Sequence, residues 1–111
     1  MPAIAPVHLS GSGKYILLGL GGDALVPKQM IVRGGAEFNL HKDIFAVTKK
    51  EVGNVLLSPY GGGVINFFDE TSPKRLVVSG SSLKYGPVRA PDILCELLKK
   101  NYPEYLIEVA D

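Results

Sequence analysis

KYILLGL (residues 14–20), GGDALVPK (21–28) and QMIVRG (29–34) form the stretch that decides the fold. The two outer runs are short, apolar and β-rich, as expected of buried strands. Between them Gly21, Gly22 and Pro27 punctuate a turn. Two strands therefore precede any helix, and the chain is not a helical bundle.

On the amino-terminal side, residues 1–13 carry Pro2, Pro6, Gly11 and Gly13 and show no sustained apolar period. They read as a flexible arm, leaving residues 14–111 as one domain. On the other side, NLHKDIFAVTKKEVG (39–53) is a helix with punctuation at both ends. Asn39 is placed to cap it, Lys49 and Lys50 suit the negative end of its dipole, and Gly53 suits its terminus. Leu40, Ile44, Val47 and Glu51 share one side, flanked by Phe45 and Val52, which is expected to meet the sheet while Lys42, Lys49 and Lys50 stay in water.

NVLLSPYGGGVINFF (54–68) is β-rich but broken by Pro59 and Gly61–Gly63, so it reads as two strand pieces joined by a turn or bulge. RLVVSG (75–80) is a further strand. APDILCELLKKN (90–101) is the clearest helix, with Pro91 at its first position, Asp92 near the positive end and Lys99 and Lys100 near the negative end. YLIEVA (105–110) alternates and closes the chain as a strand. The order is ββαβββαβ, give or take one strand.

The composition narrows the functional classes. Twelve basic residues against eleven acidic ones give a net charge of +1, which argues against a nucleic-acid partner held by counterion release. Cys95 is the lone cysteine, in an apolar helix without a basic neighbour, so it reads as inert packing. No apolar run approaches the roughly 20 residues of a membrane span, and the first residues lack the basic start of a signal peptide. A cytoplasmic protein without a membrane partner is expected, monomeric by default.

Several motifs fail on inspection. GSGK (11–14) has His8 where a phosphate-binding loop needs glycine and Tyr15 where it needs Ser or Thr. GLGGDA (19–24) lacks the following helix that would receive a pyrophosphate. Asp69 and Glu70 fall in a turn, and the tyrosines are too scattered to form a stacking platform.

His8 falls in the arm, which leaves His41 in the first turn of the first helix. There an imidazole lies beside unpaired backbone N–H groups and the positive dipole end, which disfavours imidazolium and leaves a proton-accepting ring. The same amides suit a phosphoryl group, with Lys42 adding an N–H and a charge. By itself this position fits a tolerated surface histidine better than a catalytic one.

Several short motifs in order carry more weight: KYILL with Lys14, IVRG with Arg33, HKDIF with His41, GGG (61–63), GSSLKYGP (80–87) and NYPEYLIE near the end. Over about residues 14–110 the chain resembles the Janus/Ocnus family, which includes the eukaryotic phosphohistidine phosphatases. That resemblance implies an α/β (α+β) domain with a single mixed sheet of about six strands flanked by two helices. It also implies hydrolysis of phosphohistidine in a protein or peptide partner, with no metal and no organic cofactor. Carried over, the family's histidine falls on His41 as proton acceptor, with a nucleophilic role equally open. Its phosphate-contacting lysine falls on Lys14, its serine on Ser82, and the following amides on Leu83 and Lys84. Lys42, at the helix start, completes the phosphate-binding set, and Arg33 and Arg89 are supporting candidates. Val64 stands where the family usually has arginine, Leu40 replaces an aromatic residue, and LLSPY (56–60) lacks two family cysteines. A noncatalytic phosphate- or phosphoprotein-binding member of the same fold is the alternative reading.

Overall fold

The computed structural model describes residues 4–23, 25–82 and 84–109. The elements run β1 (Val7–Leu9), β2 (Gly13–Leu20), β3 (Gln29–Gly35), α1 (His41–Val52), β4 (Leu57–Phe68), β5 (Lys74–Ser79), α2 (Pro91–Asn101) and β6 (Tyr105–Val109). The strands form a mixed six-stranded sheet in the order β1-β3-β2-β4-β5-β6, antiparallel at its centre and parallel at both edge pairs. The fold is α+β, as the family resemblance implied.

Each face of the sheet carries one helix. Ile16, Leu18, Leu20 and Ile31 pack with Ile44 and Val52 of α1. Tyr15, Leu17, Val32, Ile65, Leu76 and Val78 pack with Leu94 and Leu98 of α2. Alternate residues of β2 thus enter opposite cores, which is why its sequence is a continuous apolar run.

Two strand assignments change. Val7–Leu9, inside the segment read as an arm, forms the edge strand β1 and pairs with Val32–Gly34. Three residues are too few to show a period, and the strand is held from its partner's side: Val32 N–H donates to the Pro6 carbonyl at 2.9 Å and Arg33 Nη2 to the Ala5 carbonyl at 2.8 Å. The stretch 57–68 is one strand with a bulge, where two pieces were expected. Between the Ile16–Gly62 and Leu18–Pro59 pairs β2 spends one residue, Leu17, and β4 spends two, Tyr60 and Gly61. Gly61 has φ +97°, and a side chain there would overlap the Pro87 carbonyl.

The face of α1 also turns. His41, Ile44, Thr48 and Val52 are its buried residues, whereas Leu40 and Val47 are half exposed. The helix also starts later than expected: Leu40, in extended conformation, is the cap residue, one position after Asn39, and no side chain caps the helix. No helix among the described residues is long and apolar enough to cross a membrane.

Candidate functional site

His41 opens α1 and points at the sheet, 8% exposed. Its Nε2 lies 2.9 Å from the Gly63 carbonyl oxygen. A carbonyl only accepts, so Nε2 carries the proton. In the neutral ring Nδ1 then holds a bare lone pair, on the edge opposite Nε2 and Cδ2. A Cβ on Gly62 would stand 3.2 Å from His41 Cδ2 and 2.3 Å from the Tyr15 carbonyl oxygen. Glycine at 62 is therefore what lets β2, and with it the His41 ring, come this close to β4. The triple glycine serves the approach of neighbours as much as it serves a bend.

At the start of α1 the Asp43 amide donates to the Leu40 carbonyl at 3.1 Å, while the His41 and Lys42 amides precede the first helical hydrogen bonds and no cap side chain occupies them. Beside them is a pocket of about 160 Å³ lined by Lys14, Leu40, His41, Lys42, Ser81, Ser82 and Lys84. Its lining includes three lysines and no carboxylate. Lys14 reaches it from β2 because it alternates with Tyr15 and so shares the α1 face with Ile16. Its cross-strand partner Val64 belongs to the same face.

Ser82 is held by a small loop. Ser82 and Gly86 exchange backbone hydrogen bonds, Ser82 N–H to Gly86 O at 3.1 Å and Gly86 N–H to Ser82 O at 2.8 Å. Gly62 N–H donates to the same Gly86 oxygen at 3.1 Å, which ties the loop to β4. Tyr85 rests on Phe45 of α1 with ring centroids 5.9 Å apart. Ser82 Oγ, buried, accepts the amides of Lys84 at 3.2 Å and Tyr85 at 3.0 Å. The Lys84 amide is thus turned onto the serine, while the serine proton remains for donation.

The residues expected at a site divide accordingly. Lys14, His41, Lys42, Ser82 and Lys84 line one pocket. Leu83 lies outside the described residues. Arg33 is elsewhere: buried on β3, it makes two 2.9 Å bonds to the Glu51 carboxylate at the far end of α1 and others to the Val32 and Ala5 carbonyls. The Glu51 carboxyl is held below its ordinary range, chiefly by the hydrogen bond from Arg33. Arg89 braces the bulge, with Nη2 donating to the Pro59 carbonyl at 2.5 Å and its guanidinium 5.1 Å from the Tyr60 ring centre.

Sequence reasoning missed Leu40 and Ser81 in the pocket and the Gly63 carbonyl behind the histidine. Ser81 was legible as the neighbour of Ser82. A backbone carbonyl has no side-chain signal; the glycine run was the available hint.

A family model described as the Janus/Ocnus family matches residues 1–106. The chain is also 32% identical over 114 residues to the sex-regulated protein janus-A of Drosophila pseudoobscura pseudoobscura, a match covering 97% of this chain and 74% of that protein.

Proposed function

The chain belongs to the Janus/Ocnus family, and on that footing we propose that it is a phosphatase hydrolysing the P–N bond of phosphohistidine in proteins or peptides. The observation that carries this reading is the tautomer imposed on His41: a proton acceptor in a pocket rimmed by three lysines and the open start of a helix.

In this reading the phosphoryl oxygens lie among Lys14, Lys42, Lys84, the Ser82 hydroxyl and the first amides of α1. Positive charge and helix N–H groups there stabilise the charge that spreads over the oxygens during transfer. Water attacks phosphorus as His41 Nδ1 takes one of its protons. The new O–P bond forms, the P–N bond breaks, and its electron pair returns to the leaving imidazole nitrogen. With the other nitrogen of that imidazole protonated, the leaving group departs neutral, so the lysines and the base suffice for the step. A route in which Nδ1 itself receives the phosphoryl group before water removes it uses the same atoms.

The test follows inorganic phosphate released from a phosphohistidine peptide with chelator present, comparing wild type with His41→Ala. General-base catalysis is worth about 100- to 10,000-fold, and a loss of that size is expected. Undiminished release by His41→Ala removes this mechanism. Tight binding of the peptide without release by the wild type favours the noncatalytic reading.

A further inference from the structure

A second pocket, of about 450 Å³, opens on the α2 face of the sheet, bounded by the ends of β5 and β6, the start of α2 and residues 87–88. Its volume lies in the range of sites that hold small ligands or single side chains. Val78, Pro87, Val88, Leu94 and Val109 give it apolar walls, Ser79 and Ser81 lie at its edge where β5 ends, and Tyr15 is the aromatic residue that brings a hydroxyl to it. Tyr15 is 2% exposed, yet its hydroxyl has no hydrogen-bond partner among the described residues. No buried polar side-chain atom is left unpaired in the molecule's described part, so the exposed fraction of Tyr15 includes its hydroxyl, in the pocket it lines. Burial pushes its ionisation well above the usual range, with Cys95 adding to the effect, so it stays protonated and able to donate.

The two pockets are neighbours across the sheet. Lys14 and Tyr15 are consecutive on β2 and serve one pocket each, and Ser81 lines both. The cause is topological: β5 ends at Ser79, and the chain leaves the sheet at Gly80 with φ +72° to carry Ser82 over His41. It then returns beside β4, where Arg89 N–H donates to the Tyr60 carbonyl at 2.9 Å. The gap so opened beside the end of β5 is the α2-side pocket.

Building on the phosphatase reading, we propose that this second pocket receives the side chain of a residue flanking the phosphohistidine in a polypeptide substrate. The chemistry that fits is an apolar stem bearing a hydrogen-bond acceptor at its tip, as in glutamine, with the acceptor on the Tyr15 hydroxyl. A donor in an apolar pocket, once a ligand displaces the water that reaches it, favours substrates that supply an acceptor and penalises those that do not.

The experiment pairs two substrates with one conservative variant. Tyr15→Phe removes a single oxygen and keeps the packing of the core. For a peptide with glutamine beside phosphohistidine its KM rises roughly 2- to 10-fold, the worth of one neutral hydrogen bond. With phosphoramidate, which fits only the phosphoryl pocket, and with a glycine-flanked peptide, rates stay at the wild-type level. Equal effects on all three substrates, or on none, overturn the proposal. Should the wild type release no phosphate from any of them, the phosphatase reading fails separately. The pocket is then read by the methyl resonances of Val78, Leu94 and Val109 on titration with the unphosphorylated peptides. Shifts with the glutamine peptide that weaken in Tyr15→Phe uphold the side-chain pocket; no shifts overturn it.

Discussion

The two ends of α1 use positive charge in opposite ways. At its carboxyl end Arg33 is buried and every arm of its guanidinium is spent, on both oxygens of Glu51 and on two backbone carbonyls. At its amino end Lys14, Lys42 and Lys84 surround a pocket and none is paired with a carboxylate among the described residues. A charge neutralised by a carboxylate of its own protein fastens structure; a charge held without a counterion beside a histidine is left for a ligand. Both ends contain basic residues singled out by the same ordered motifs, and only the partners tell them apart.

The largest expected effect is at the open end. Lys14→Met removes one of the groups facing the phosphoryl oxygens, and loss of a donor of this kind costs about 100- to 1,000-fold in turnover. Stability is expected to stay near wild type, since no ion pair or side-chain hydrogen bond of Lys14 is broken. Phosphate release and urea unfolding, measured on the same preparation, check both halves. A marked loss of stability in Lys14→Met breaks the comparison, because the lysine would then be structural too.

The paired end is expected to behave in reverse. Glu51→Ala leaves the Arg33 guanidinium buried without its carboxylate, and urea unfolding should show a loss of about 1.5–3 kcal/mol, the worth of hydrogen bonds to a charged group. Glu51 is 39% exposed, so solvent keeps this below the cost of breaking a fully buried pair. The pair also has a pH signature. Arg33 lowers the Glu51 carboxyl in the folded state, so its contribution is complete above the ordinary glutamate range, roughly pH 4.3. It fades as pH falls from there through the folded value. Unfolding curves from pH 3 to 7 should therefore show a shallower acid loss in Glu51→Gln than in wild type. Phosphate release at pH 7 should be unchanged at temperatures where the variant is folded.

How far this contrast was legible in the sequence differs between the two ends. The strands β2 and β3, both helices and the punctuation by Pro91 and Gly53 follow from local rules, and the structure keeps them. The order of short motifs placed Lys14, His41, Lys42, Ser82 and Lys84 as candidates, and they meet in one pocket. What local rules could not give is orientation. Following the apolar side chains put Leu40 and Val47 on the expected face of α1 and left out His41 and Thr48, although His41, Ile44, Thr48 and Val52 follow helical spacing just as well. Arg33 could be separated from the site only by its tertiary partner Glu51, 18 residues away on another element. β1 escaped because a three-residue edge strand takes its definition from the neighbour it pairs with.

The smallest effect sharpens the comparison most finely, because it adds a charge where the open end has an apolar residue. Val64 stands directly across from Lys14 in the β2–β4 ladder, on the α1 face of the sheet, and is only partly buried. An arginine there extends beside Lys14 with no carboxylate in the pocket lining to claim it. Val64→Arg therefore supplies a further partner for a phosphoryl oxygen rather than another structural pair. A partly exposed ion pair is worth about 0.2–1 kcal/mol, so KM for a phosphohistidine peptide should fall roughly 1.5- to 5-fold, and the gain should shrink as salt is raised. The same substitution in His41→Ala should tighten peptide binding without restoring release. If Val64→Arg leaves KM unchanged while raising stability, the new guanidinium has found a partner within the protein, and the amino end of α1 is less open than its unpaired lysines indicate.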